Sequence, residues 1–281
     1  MGNLSIKILL PFFVFSLTGC EIMEFRGFFT SYENVNNRFI QSEEWNIING
    51  FSEINTDQET YIIHVMSDSH VGSTKNLDTF FSYSSDEEVA AAIMVGDITT
   101  GHKEDYDVLS NHLPLAGTMN VFAVVGNHDL YFDGWQYFYS IFGSSSYYFV
   151  INTPEQSDLF ICLDTGGGTL GNKQFEWFKK LLETNRDDYR YCVVFTHINL
   201  FRFRPTASTN PMVEEIHVLQ DLFLRHEVNM VITGHDHVEN YDILGNTTHL
   251  TLGALLDDND NASYLRLSVN DDKIEFNFIG L

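Results

Sequence analysis

The sequence predicts an α/β layered domain, and three observations carry the prediction. Nine short apolar, β-branched runs (61–66, 90–95, 121–125, 147–151, 159–163, 191–195, 228–233, 248–252 and 264–269) each end in a polar loop. Several, such as 90–95, 121–125 and 191–195, are apolar throughout rather than alternating, as strands buried on both faces require. Stretches with helical spacing lie between several of them, which is the rhythm of a layered strand–helix domain.

Taken in order, residues 1–20 read MGNLSIKILLPFFVFSLTGC. One basic residue, Lys7, precedes an apolar run over 8–17, and the small residues Thr18 and Gly19 follow. A charged start, a run too short to span a bilayer comfortably and a small-residue cleavage site read as a secretory signal over residues 1–19. Leu17-Thr18-Gly19-Cys20 is similar to the lipobox of bacterial lipoproteins, in which the cysteine becomes the lipidated first residue of the mature chain. The alternative is an ordinary signal peptide or a membrane anchor with an incidental cysteine. The reading places the mature protein in a bacterial cell envelope, lipid-anchored at Cys20 and either periplasmic or surface-exposed. Residues 20–58 are then a lipidated tether and an N-terminal surface segment, polar and aromatic without clear periodicity, with Trp45 and Phe51 as candidate anchors.

Residues 59–281 hold the nine runs. Phe175, Phe178, Leu181 and Leu182 give one helical apolar face, with Lys179 and Lys180 outside it. Val218, Leu219, Leu222 and Phe223 give another. The last runs carry no helices between them, so that end is expected to be more antiparallel. No other segment is long and apolar enough to cross a membrane. With Cys20 assigned to lipid, Cys162 and Cys192 remain, each inside an apolar run and without metal-type spacing. An oxidising compartment permits a disulfide, but the surroundings favour two buried thiols.

Charge narrows the partners. The chain has 15 Lys+Arg against 39 Asp+Glu over 281 residues, a net −24. A field of that sign repels duplex nucleic acid and anionic lipid. It does not repel a small phosphate ester if cations are concentrated locally.

The polar loops that end the runs carry the chemistry. Run 61–66 leads into Ser67-Asp68-Ser69-His70, and 90–95 into Gly96-Asp97. Run 121–125 leads into Gly126-Asn127-His128-Asp129, 191–195 into Thr196-His197, and 228–233 into Gly234-His235-Asp236-His237. Open α/β sheets gather ligand-binding groups at these strand ends. Carboxylate, imidazole and amide oxygen without thiolate suit a pair of divalent ions such as Mn, Fe or Zn. Such a pair, ~3.5–4 Å apart, can hold a hydroxide and clamp ester oxygens for in-line displacement. Each motif is weak singly; the ordered set of five is specific.

The ordered set DSH, GD, GNHD, TH and GHDH resembles the calcineurin-like metallophosphoesterases, and the match runs roughly over residues 61–253. FGSSSYYF, LDTGGG and the segment beginning GNKQFEWF also look like this family. The resemblance implies a four-layer αββα sandwich of two mixed β-sheets flanked by helices. It assigns one ion to Asp68, His70, Asp97 and His237, and the other to Asp97, Asn127, His197 and His235. Asp97 bridges the two, and His128 is the catalytic residue beside them, donating a proton to the leaving oxygen or hydrogen-bonding the phosphoryl group.

Two departures qualify the match. Many relatives carry Asp three residues after the bridging aspartate, where it orients the His of GNH; here that position is Thr100. The motif containing His197 continues Ile-Asn-Leu instead of reaching proline soon after. In the same loop, Arg202 and Arg204 are candidate substrate-binding cations, since a guanidinium fork suits phosphate. Pairing with surface carboxylates is the competing reading.

Other residues are read as structural. Trp135, Phe138, Tyr139 and Phe142 have helical spacing and point to core packing rather than an aromatic wall. His64, His217, His226 and His249 match no family ligand position, and His102 and Lys103 are left unassigned. The acidic run 257–260 is a solvated loop, with calcium binding as the alternative.

The expected function is therefore hydrolysis of a small phosphomonoester or phosphodiester by a tethered, two-metal enzyme, with no nucleic-acid partner. A catalytically silent metal-binding scaffold of the same fold is the rival.

Overall fold

The computed structural model describes residues 33–200 and 212–281. Its helices are α1 (Val35–Asn49), α2 (Lys75–Asp86), α3 (Lys103–His112), α4 (Trp135–Phe142), α5 (Gly171–Asn185) and α6 (Val213–Arg225). Its strands are β1 (Ser52–Asn55), β2 (Tyr61–Met66), β3 (Ala91–Val95), β4 (Val121–Val124), β5 (Tyr147–Asn152), β6 (Ser157–Leu163), β7 (Cys192–Thr196), β8 (Met230–Thr233), β9 (Asn240–Leu244), β10 (Thr247–Thr251), β11 (Ser263–Val269) and β12 (Ile274–Gly280).

Two mixed sheets form the centre. One has seven strands in the order β1-β5-β6-β7-β8-β10-β9, the other five in the order β12-β11-β2-β3-β4. β2, β3 and β4 are parallel, as are β6, β7 and β8. β9 and β10 form an antiparallel pair, and β11 runs antiparallel to both β2 and β12. The helix-free closing segment is thus only partly antiparallel: the β9–β10 and β11–β12 hairpins are antiparallel pairs, but β10 runs parallel to β8.

Strand periodicity explains the layers, since alternate side chains leave opposite faces. Ile63, Val65 and Ile93 from the five-stranded sheet meet Phe160, Phe195 and Ile232 from the seven-stranded sheet in the middle core. Met66, Ala92 and Met94 face outward onto Phe80, Leu109 and Phe138 of α2, α3 and α4. Leu159, Ile161 and Val194 face the other way onto Phe178 and Leu182 of α5 and Leu222 and Phe223 of α6. The architecture is therefore α/β/β/α, as the family resemblance implies.

Six elements go beyond the sequence prediction, and their burial explains why. α1 lies in a stretch without periodicity because its inward residues include the polar Arg38, Ser42 and Asn46. Trp45 and Phe51 do pack, on Tyr139 and Tyr148 respectively. β9 is exposed along its whole length, and β1 and β12 are edge strands, so none carries a continuous apolar run. α2 and α3 contribute short apolar faces among polar residues. Cys162 and Cys192 are buried free thiols, and burial pushes both up to about 12. Asp257 is not merely solvated: it accepts from the backbone N–H of Lys75 (2.9 Å) and Asn76 (2.7 Å), capping α2. Among the described residues no helix is long and apolar enough to cross a membrane. Cys20 and the signal and tether readings of residues 1–32 lie outside the described residues, as do Arg202 and Arg204.

Candidate metal centre

The five polar loops converge at the carboxyl ends of β2, β3, β4, β7 and β8. They converge by bending sharply. Asp68, His70, Asp97, His235 and His237 all have left-handed backbones, with φ of 55°, 40°, 48°, 73° and 56°. Such conformations cost on the order of 1–3 kcal/mol each in a non-glycine residue and collect at functional sites. Two glycines permit the crowding. A Cβ on Gly126 would run into the backbone and carboxylate of Asp97, and one on Gly234 into Ser67 and Asp68.

Three groups of ligand-type atoms result, with the atoms of each group within 4.8 Å of one another: Asp68, His70 and His237; His70, Asp97 and His128; and Asp97, His197 and His235. His237 Nε2 lies 3.2 Å from Asp68 Oδ1 and 3.4 Å from His70 Nε2. Asp97 Oδ2 faces His197 Nε2 at 3.2 Å and His70 Nε2 at 3.9 Å, while its Oδ1 accepts the His128 backbone N–H at 2.7 Å. Asp97 thus stands between two clusters.

The orientation of the donors is specific. His197 Nδ1 donates to the Val95 carbonyl (2.9 Å), so Nε2 is the nitrogen turned toward Asp97 and available to an ion once its proton is displaced. Asp68 Oδ2 accepts from Ser67 Oγ (2.6 Å) and from the His235 N–H (2.9 Å), leaving Oδ1. Asn127 Nδ2 donates to Tyr131 Oη (3.4 Å), leaving the amide oxygen. Asp68 Oδ1, Asn127 Oδ1 and His197 Nε2 are all buried without a well-aligned hydrogen bond, and Asp68 Oδ1 and His197 Nε2 meet only other ligand-type atoms, His237 Nε2 and Asp97 Oδ2, at 3.2 Å. Buried atoms of this kind cost on the order of 1–3 kcal/mol each. Their convergence with a thiolate-free O/N donor set fits two hard or borderline divalent ions.

The charges are mutually supporting. Burial alone would raise the Asp68 and Asp97 carboxyls. The facing His237 outweighs it at Asp68 and holds that carboxyl at about 2, while His197 holds Asp97 well below the usual range. Burial opposes a charged His197, yet Asp97 lifts it to about 10. Burial instead holds His70 down at about 4.

The structure brings Asp68, His70, Asp97, Asn127, His128, His197, His235 and His237 to one place. The His128 ring meets His70 edge-on at 4.6 Å and Tyr131 at 4.7 Å. Thr100 does not turn toward it; its hydroxyl donates to Asp105 at the start of α3. His102 stacks on Phe132 at 3.8 Å, and Lys103 pairs with Asp107 on the helix surface. Trp135 and Phe138 are core residues.

Sequence reasoning left Asp129 without a role. Its buried carboxylate accepts from Gly126 N (2.8 Å), Ile98 N (3.2 Å), Thr99 N (2.8 Å) and Thr99 Oγ1 (3.1 Å), tying the Asp97 loop to the Asn127 loop. Burial, with Asp97 nearby, raises it to about 6. Its place directly after Asn127-His128 was the available signal.

The fold is that of the metallo-dependent phosphatases, and the site holds groups able to ligate metal. The family model for calcineurin-like phosphoesterases matches residues 61–239, and the chain belongs to that family. Among solved structures it is similar to GAP50, the anchor in the inner membrane complex of Plasmodium: TM-score 0.60, 13% identity, covering 79% of this chain and 85% of that one. It is also similar to a dimetal phosphatase from Danio rerio (TM-score 0.59, 14% identity, 78% and 96% covered). A putative 5′-nucleotidase from Staphylococcus aureus matches with TM-score 0.51 and 13% identity, over 79% of this chain and 53% of its own length. At these identities the likeness is one of fold. No curated protein sequence matches the chain significantly.

Proposed function

We propose that this chain is a dinuclear metal-dependent phosphoesterase that hydrolyses a small phosphomonoester or phosphodiester while lipid-anchored outside the cytoplasm of a bacterium. The observation that carries the chemical part is the pair of ligand-type clusters, Asp68, His70 and His237 and Asp97, His197 and His235, with Asp97 also reaching His70. In this reading Asp68, His70, Asp97 and His237 hold one Mn, Fe or Zn ion. Asp97, Asn127, His197 and His235 hold the other.

When bound, the two ions supply positive charge for the phosphoryl oxygens and acidify the attacking water. The chain's own groups do the rest. Asp97 presents Oδ2 between His197 on one flank and His70 on the other, while the His128 N–H holds Oδ1. The Val95 carbonyl holds the His197 ring so that Nε2, not Nδ1, is the nitrogen turned into the site. His128, beside His70, donates its proton to the departing oxygen, a step worth roughly 10²–10⁴ in rate. The −24 chain tolerates an anionic ester because divalent ions dominate the local potential. Arg202 and Arg204 are assigned to the substrate's phosphate or a second acidic group; Michaelis constants unchanged in Arg202→Ala and Arg204→Ala would remove that assignment. The lipid anchor rests on the sequence around Cys20, and Cys20→Ser is expected to move the protein from the membrane to the soluble fraction.

The deciding experiment is metal analysis of purified protein followed by turnover of an aryl phosphomonoester and a bis-aryl diester with added Mn²⁺. Two ions and turnover of at least one ester support the reading; no turnover of any ester by the two-ion form contradicts it. That second outcome would favour a silent scaffold. The scaffold reading draws on the Thr100 side chain, which faces Asp105 rather than His128, and on a fold neighbour whose name describes an anchor.

A further inference from the structure

We infer that Arg38, on the N-terminal helix and outside the matched family segment, is a positioning residue for one of the two metal subsites, the one containing Asn127 and His197. The inference rests on the two-ion reading above and adds a residue that sets the affinity of only one ion.

The physical connection is short. Arg38 is buried, and its Nε and Nη2 donate to the two oxygens of Asp164 at 2.7 and 3.0 Å, while Nη1 donates to the Glu33 carbonyl at 2.7 Å. Asp164 is the first residue after β6. Its backbone is held a second time by Gln174, whose amide accepts from Asp164 N and donates to Asp164 O, both at 2.8 Å. The next two residues reach the site from this clamp. Thr165 Oγ1 lies 2.7 Å from Thr196 Oγ1 and accepts the Ile198 N–H at 3.0 Å, so it holds the chain on both sides of His197. Gly166 is pressed against Gly126: a Cβ there would lie 2.7 Å from the Gly126 carbonyl oxygen and 2.9 Å from Leu130 Cδ1. Gly126 in turn precedes Asn127.

The loop held by Arg38 therefore braces the backbone of two ligands, His197 and Asn127. The Asp68 loop is braced by different contacts, from Asp68 N and His70 N to the Gly96 and Asp97 carbonyls (3.1 and 3.0 Å). This asymmetry predicts an asymmetric effect. Groups that orient ligands without touching the ion typically change affinity ~10–100-fold.

The test is calorimetric Mn²⁺ titration of the full chain, with ion content checked by elemental analysis. Three variants are compared with the starting protein: Arg38→Met, Thr165→Val and, as a control for general destabilisation, Arg190→Met. The starting protein is expected to bind two ions. Arg38→Met and Thr165→Val are expected to keep one site at its original affinity and weaken the other at least ~10-fold. Arg190→Met is expected to melt earlier but bind both ions unchanged. Thr165→Val leaves the buried ion pair intact, so it decides the matter if Arg38→Met does not fold. Unchanged affinity at both sites, or equal weakening of both, overturns the inference while leaving the two-ion reading in place. Failure of the starting protein to bind any ion overturns both.

Discussion

Strand β6 has a buried arginine–aspartate pair at each end, and the two ends serve different purposes. At its start, Asp158 accepts from Arg190 Nε (3.0 Å) and Nη2 (2.6 Å), Tyr61 Oη (2.6 Å) and the Tyr191 N–H (3.1 Å). Tyr61 belongs to the five-stranded sheet and Asp158 to the seven-stranded one, so this cluster staples the sandwich with both carboxylate oxygens satisfied. Just beyond the other end, the Arg38–Asp164 pair grips a loop instead, and the loops around it carry left-handed backbones and bare ligand atoms. The comparison teaches where stability and function are separated. The amino end of β6 is closed by satisfied partners, while the loops beyond the carboxyl ends keep polar atoms unsatisfied at a cost that bound cations can offset.

The largest expected effect lies at the open end. Asp97→Asn should lower kcat/KM for an aryl phosphoester by roughly a thousandfold or more, since it weakens both subsites at once. Ion content should fall with it. An Asp97→Asn protein that keeps two ions and near-normal turnover would break the comparison.

The closed end should respond in the opposite currency. Arg190→Met leaves the buried Asp158 without its counter-charge, holding only the Tyr61 Oη and Tyr191 N–H hydrogen bonds, and is expected to cost about 3–5 kcal/mol in chemical denaturation of the chelated protein. Two-ion binding should persist wherever the variant is folded. A loss of ions in the folded variant would show that the two ends are not separable.

His128→Ala is expected to reduce kcat roughly a hundredfold or more with ion content intact. The reduction should be greater for alkyl esters than for aryl esters, whose leaving oxygen needs less help from a proton. Equal losses for both would remove the proton-donating role and leave only phosphoryl contact.

The open end was the more legible in sequence, because its residues announce themselves at the ends of apolar runs. Asp68, Asp97, Asn127, His197 and His235 each follow a strand that burial makes continuously apolar, so motif and periodicity coincide. The supporting structure was less visible. α1 turns Arg38, Ser42 and Asn46 inward, and no hydrophobic pattern marks a helix that packs through ion pairs and hydrogen bonds. Asp164 and Asp158 look like ordinary acids among 39 in a sequence where partners lie 126 and 32 residues away. β9 is missed for the converse reason: an exposed edge strand has no face that burial requires to be apolar.

The smallest expected effect concerns a buried histidine under the five-stranded sheet. His64 Nδ1–H donates to Ser84 Oγ (3.0 Å), whose own proton goes to the Phe80 carbonyl. Burial holds it down at about 4, with Glu87 opposing and Arg266 reinforcing the shift. The folded protein therefore takes up this proton at lower pH than the unfolded chain. Its contribution is complete above pH ~6.5 and is lost as pH falls toward 4, by up to ~3 kcal/mol. Asp129, raised to about 6, acts in the opposite direction over part of that window. The readout is accordingly the difference between the starting protein and His64→Gln in chelator, followed by denaturant midpoint from pH 7 to 4. The starting protein should lose more stability than the variant; parallel profiles would refute the assignment.

The two-cation site itself is tested most directly by anomalous diffraction at the manganese edge from crystals grown with Mn²⁺. The account predicts two peaks ~3.5–4 Å apart with Asp97 between them, one beside Asp68, His70 and His237 and the other beside Asn127, His197 and His235. A map at saturating Mn²⁺ with no peak there, or with a single ion held away from Asp97, would contradict it.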